Sequence, residues 1–301
     1  MRFSWNGSFG AQPEMKVLSR NSPDPGVTPS LESPGQESFV WRLMFASGLD
    51  SESDAQEIVG ESAALKRVLS LVRKAAQTDS AALICGEPGS GKELVAQAIH
   101  RVGPRRNGSF VKVSAATVGE GLLERELFGF ERGLVDDAVV ERTSRLELAN
   151  RGTLFLDEID QFPPELQSKL LRVLERREFQ RVGSIRSIPI NVRVIAATET
   201  YLERLVSINE FSRELYQQLN VFPIPIPSLR ERREDIPLLV RHFVQRFARR
   251  LNKTIEIIPT KIIDSLQNRH WPGNVRELEN FIERAVTLTA GSTLSIDGVA
   301  D

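Results

Sequence analysis

Apolar and polar positions change rhythm along the chain, and each change marks a segment. Over residues 1–56 no sustained period holds: Pro13, Pro23, Pro25, Pro29 and Pro34 stand among serine, glycine and acidic residues, a texture that predicts a disordered leader. The apolar patch Phe39-Val40-Trp41-Arg42-Leu43-Met44-Phe45 interrupts it, with Met44 a candidate start of translation. From Ile58 onward, apolar runs alternate with amphipathic stretches, the pattern of a parallel α/β sheet. Leu65, Val68, Leu69 and Val72 fall on one helical face. Strands are predicted at 82–85, 110–113, 153–156, 192–196 and 222–226. Past the turn Pro223-Ile224-Pro225-Ile226-Pro227 only helical periods remain, over 236–251, 260–268 and 275–289. The expected organisation is a leader (1–56), an α/β unit (57–228) and a smaller helical unit (229–301).

Composition narrows the function classes. The 301 residues can bury a substantial core, and 39 basic against 40 acidic side chains leave no global field to draw nucleic acid. Cys85 is the one cysteine, which excludes an internal disulfide; ending an apolar run, it reads as a buried strand residue. No stretch approaches the roughly 20 apolar residues of a membrane helix, and no signal core opens the chain, so a cytoplasmic protein is expected. Arg241, Arg246, Arg249 and Arg250 interleave with Phe243 and Phe247. That spacing reads as the solvated face of an amphipathic helix rather than as a nucleic-acid surface.

Two segments carry chemistry. Gly86-Glu87-Pro88-Gly89-Ser90-Gly91-Lys92 follows a predicted strand and opens a predicted helix. In that setting backbone N–H groups and a helix N-terminus cradle phosphates, and Lys92 reaches the β- and γ-phosphates of ATP. Glu93 follows where the general motif has a hydroxyl ligand for Mg²⁺. Further on, Gly152-Thr153-Leu154-Phe155-Leu156-Asp157-Glu158 is an apolar run closed by two carboxylates. A buried strand delivers both acids to its C-terminal edge, where Asp157 suits Mg²⁺ held through water and Glu158 suits a general base for the attacking water.

The runs at 86–100, 110–116, 122–133, 145–160, 219–239 and 271–286, taken in order, resemble the AAA+ central domain of sigma-54-dependent transcriptional activators, over nearly all of the chain from Ile58 on. The resemblance implies a P-loop NTPase fold, an α/β wedge with a C-terminal helical lid, assembled into rings of itself or related AAA+ subunits. It implies ATP and Mg²⁺ as cofactors, hydrolysis between subunits, and remodelling of a closed promoter complex. By position it assigns nucleotide binding to residues 86–93, metal and water handling to Asp157 and Glu158, a first sensor to Thr198, and a phosphate-sensing lid arginine to Arg276. Glu93 is usual after the loop lysine in this family.

Four departures qualify those expectations. The family's sigma-54-touching loop, GAFTGA, aligns with Gly133-Leu134-Val135-Asp136-Asp137-Ala138, which loses the aromatic and adds two charges, arguing against the same contact. The two arginine fingers align with Ser212 and Gln218, while Arg213, one residue along, points about 100° away on a helix. Loss of such a finger costs about 10³–10⁵ in rate. Ser114 replaces the asparagine that partners the catalytic glutamate, and Glu199 replaces the one after the first sensor. The stretch after the last helix is too short for a helix-turn-helix, so no DNA-binding domain is expected within it. Two readings stay open: an ATP-binding regulator of transcription with weak hydrolysis, or a competent remodelling ATPase with another target and Arg213, Arg230 or Arg232 as its finger. An empty-pocket scaffold is a third.

Overall fold

The computed structural model describes residues 58–116, 120–131 and 143–299. The predicted leader and the loop 133–138 lie outside the described residues. Ser62 begins the ordered architecture by capping α1 (Ala63–Ala76), its hydroxyl accepting from Leu65 N–H at 3.2 Å. There follow β1 (Ala82–Cys85), α2 (Lys92–Val102), β2 (Phe110–Ser114), α3 (Glu120–Phe128), α4 (Arg145–Leu148) and β3 (Thr153–Asp157). Next come α5 (Pro164–Arg176), β4 (Glu178–Gln180), β5 (Ser187–Pro189), β6 (Arg193–Thr198), α6 (Leu202–Ser207), α7 (Arg213–Leu219) and β7 (Phe222–Pro225). Three helices close the chain: α8 (Ile236–Arg250), α9 (Thr260–Gln267) and α10 (Asn274–Leu288).

Five strands form a parallel sheet in the order β2-β3-β6-β1-β7. Strand alternation explains why both faces are covered. Leu154 and Leu156 of β3 join Leu166 and Leu170 of α5 and Leu215 of α7 in one core, whereas Phe155 between them joins Val68 and Val72 of α1 and Val95 and Ile99 of α2 in another. A third core belongs to the C-terminal helices, where Phe243, Phe247 and Leu278 join Trp271, whose ring meets Phe281 edge-on. The fold is thus an α/β P-loop wedge with a helical lid.

The structure moves some predicted boundaries. The fourth strand of the sheet runs over Arg193–Thr198 rather than 192–196, because its polar ends, Arg193 and Thr198, are as buried as its middle. The β4–β5 hairpin is not among the predicted elements. Cys85 is only partly buried, with burial raising its thiol pKa to about 11. Arg246 and Arg250 pair with Glu279 and Glu283 of α10 and lie over the Phe243 and Phe247 rings, so the arginine face of α8 packs within the lid. No helix among the described residues is long and apolar enough to cross a membrane.

Candidate functional site

A cleft of about 230 Å³ opens at the C-terminal edge of the sheet, between the turn that follows β1 and the lid helices. The turn depends on two glycines for different reasons. Gly91 caps α2 at φ 103°, and a Cβ there meets open space, so its demand is purely conformational. Gly89, at φ 70°, adds a demand for room: a Cβ would stand 2.2 Å from the Gly273 carbonyl oxygen of the lid. Beside the exposed N–H groups of α2, Ser90 is 3% exposed and its hydroxyl has no hydrogen-bond partner. A buried, unsatisfied donor at a helix N-terminus fits an anionic phosphate.

Lys92 is buried and fully engaged. Its ammonium donates to the carbonyls of Gly86 (2.9 Å) and Glu87 (3.2 Å) and pairs with Glu199 Oε1 at 3.0 Å. Opposite it, β3 ends on the two predicted acids. Glu158 leaves the strand in the left-handed region, φ 57° and ψ 47°, a conformation that costs a non-glycine residue about 1 kcal/mol or more. Its Oε2 accepts from Ser114 Oγ (3.0 Å) and from the Ala116 N–H (2.9 Å). Ser114, the substitute for the expected asparagine, thus still donates to the glutamate. Asp157 Oδ2 lies 3.0 Å from Lys112 Nζ, which also reaches Glu93 Oε2 at 2.7 Å. Burial works against the Lys112 ammonium, but its bonds to Glu93 and Asp157 outweigh that and raise its pKa.

The lid grips the phosphate turn at several points. Val275 and Arg276 N–H groups donate to the Gly89 carbonyl at 3.1 and 3.3 Å. Asn274, fully buried at φ 53°, accepts from Leu229 N–H at 2.7 Å and donates to Glu87 Oε2 (3.1 Å) and the Pro88 carbonyl (3.0 Å). Arg232 is buried and donates to the Ser90 carbonyl at 2.9 Å, its Nε unpartnered. Arg230 forks onto Glu87, and that guanidinium, with Asn274, lowers the Glu87 pKa to about 2. Asp235 locks the start of α1 to the lid by accepting from Glu61 N–H, Ser62 N–H and Ser62 Oγ at 2.7, 2.8 and 2.7 Å.

Of the residues named from sequence, Gly89, Ser90, Gly91, Lys92, Glu93, Asp157, Glu158 and Arg276 line the cleft. Gly86, Glu87 and Pro88 stand behind it, the latter two facing the lid. Thr198 is fully buried, its hydroxyl bonded to the backbone of Thr200, and Glu199 lines the cleft in its place. Arg230 and Arg232, named as alternative fingers, are instead committed to this chain's own phosphate turn. At the finger positions Ser212 caps α7, accepting from Leu215 N–H at 3.1 Å, and Gln218 lies exposed on the helix. Sequence reasoning missed Lys112, Asn274 and Asp235; the signal for Lys112 is a lone charge in the otherwise apolar run Phe110-Val111-Lys112-Val113.

Comparison with known proteins places these features in one family. The model described as the sigma-54 interaction domain matches residues 58–225, and that of the AAA+ ATPase lid domain matches 230–301. The chain is 51% identical over 245 residues to the formate hydrogenlyase transcriptional activator FhlA of Escherichia coli, covering 81% of this chain and 35% of that protein. It is 50% identical over 240 residues to the DNA-binding transcriptional activator HyfR of the same organism, covering 80% and 36%. It therefore spans about a third of the length of these relatives. Among solved structures, NtrX from Brucella abortus in complex with ATP superposes with a TM-score of 0.73 at 38% identity, covering 81% of this chain and 52% of that one.

Proposed function

The chain belongs to the sigma-54 interaction domain family, and from that premise we propose that it is an ATP-binding AAA+ module acting in regulation of transcription, with slow turnover of its own. The observation that carries this reading is the convergence, on one cleft, of the unpartnered Ser90 hydroxyl, the α2 N-terminus, Lys92, and the acids Asp157 and Glu158. The NtrX structures with ATP and with ADP support a nucleotide as the ligand class.

In this reading the N–H groups of Gly91 and Lys92 hold the β-phosphate, and Lys92 exchanges Glu199 for phosphate oxygens. Glu93 and Asp157 are the oxygen donors that suit Mg²⁺, whose charge would offset that of the phosphates. Glu158, oriented by Ser114 and Ala116, takes the proton of the attacking water. Arg276, on the first turn of α10, couples phosphate occupancy to the lid, whose backbone already grips Gly89. Turnover is slow because a neighbouring copy would present Ser212 and Gln218 where a finger belongs. Assembly into a ring with related AAA+ subunits that carry fingers supplies the missing cation. Asp136 and Asp137 in the 133–138 loop disfavour a sigma-54 contact of the family's kind.

The competent-ATPase reading retains only Arg213, exposed at the first position of α7, as its finger. Fluorescence titration with mant-labelled ATP tests nucleotide binding directly. Wild type binds, and Lys92→Ala binds at least about tenfold more weakly. Equal affinity of the two proteins would contradict the proposal.

A further inference from the structure

Where Glu93 and Asp157 line the cleft, both are paired with a lysine at its border. Strand alternation puts Lys112 and Ser114 on the same face of β2, and the register sets them opposite Phe155 and Asp157 of β3. Ser114 from this face reaches Glu158, and Lys112 reaches both Glu93 and Asp157. The distances of 2.7 and 3.0 Å are those of charge-assisted hydrogen bonds, so one ammonium is shared by the two carboxylates best placed to hold a divalent ion. Lys112 Nζ also stands 6.0 Å from the centroid of the Phe155 ring, so an aromatic face flanks the ammonium beside its two carboxylates.

A cation tethered to the backbone is always present at high local concentration, whereas Mg²⁺ must shed water and meet oxygen atoms at short range. With both acids bridged, a polyanionic ligand faces one residual negative charge there instead of two. The geometry points to Lys112 as a resident counter-ion that stands in for Mg²⁺ in the binding of a nucleoside triphosphate and that Mg²⁺ must displace to enter. The inference rests on the nucleotide-binding reading above and adds a positioning role for a residue of β2. It separates two properties that P-loop sites usually join, because the triphosphate is held with little help from the divalent ion.

The test is titration of the full chain with mant-labelled ATP in MgCl₂ and in EDTA. Wild type is expected to lose no more than about threefold in affinity on removal of Mg²⁺, and Lys112→Met about tenfold or more. In parallel, titration of Mn²⁺ into the nucleotide-loaded proteins, followed by electron paramagnetic resonance, should show Mn²⁺ binding about tenfold tighter in Lys112→Met. Lys112→Gln, similar in length, replaces it should the methionine variant not fold. A wild-type loss above about tenfold in EDTA overturns the role of Lys112 and leaves nucleotide binding standing, and that arm needs no variant. Equal Mg²⁺ dependence in wild type and variant overturns it as well. No binding in either medium overturns the nucleotide reading, and this inference with it.

Discussion

The phosphate turn and helix α7, which the proposed function would bring together between subunits, are built to different standards. At the phosphate turn nearly every polar atom is fixed: Gly89, Glu87, Pro88 and Ser90 are each gripped by the lid, and Lys92 has three acceptors. In α7, Ser212 caps the N-terminus and Gln218 lies exposed in the last turn, so neither finger position carries a cation. The cleft side is densely bonded, whereas on the proposed reading the positions from which one subunit would reach another's nucleotide carry a serine and a glutamine. On the proposed reading, binding and hydrolysis rest on separate surfaces, so substitutions on one can leave the other unchanged.

Gly89→Ala attacks the stronger region and has the largest expected effect. A Cβ at 2.2 Å from a backbone oxygen, on a residue at φ 70°, must separate lid from turn and should destabilise the chain by about 3 kcal/mol in urea unfolding. A cost below about 1 kcal/mol would mean that the lid contact is not built as described. Glu199→Gln sharpens the comparison from inside the cleft. Freed from its ion pair, Lys92 should bind ATP about tenfold more tightly while adenosine affinity, by calorimetry, stays the same. An equal gain for adenosine would place the effect outside the phosphates.

Ser212→Ala probes the plainer region. Loss of the α7 cap should cost about 1 kcal/mol of stability and leave nucleotide affinity untouched, since Ser212 does not line the cleft. The smallest effect belongs to the exposed Arg230–Glu87 pair. Because the folded Glu87 pKa is depressed to about 2 from an ordinary 4.5, its contribution is present above pH 4.5 and fades as pH falls through about 2. Solvent screening keeps it small, with Glu87 37% exposed. The gap in urea midpoint between wild type and Arg230→Ala should therefore be narrower than for Ser212→Ala at pH 7, and should shrink toward pH 3. A gap that widens on acidification would contradict the assignment.

Local signals carried most of the architecture into the sequence. The turn at 86–92 is legible because glycines and a lysine sit between a strand and a helix, and α8, α9 and α10 follow their apolar period to within about a residue. The ends of β6 lie one and two residues from those expected because a strand buried on both faces shows no alternation, and β4 and β5, three residues each, are too short to show a period. The pairs that set the electrostatics of the site were not legible. Lys92 and Glu199 are 107 residues apart and meet only because β1 and β6 are neighbours in the sheet. In the sequence Glu199 stands out only as a replacement for an asparagine, and nothing local marks it as the partner of Lys92. Asn274 joins lid to turn from a left-handed backbone position that its residue type permits but does not announce.

On the proposed function, this chain holds ATP and turns it over slowly for want of arginine fingers. Steady-state hydrolysis by wild type and by the Ser212→Arg, Gln218→Arg double variant, with mant-ATP affinity measured on the same preparations, tests it most directly. The account predicts turnover at least about 100-fold higher in the double variant, with affinity unchanged within about threefold. Equal turnover in the two proteins would contradict it.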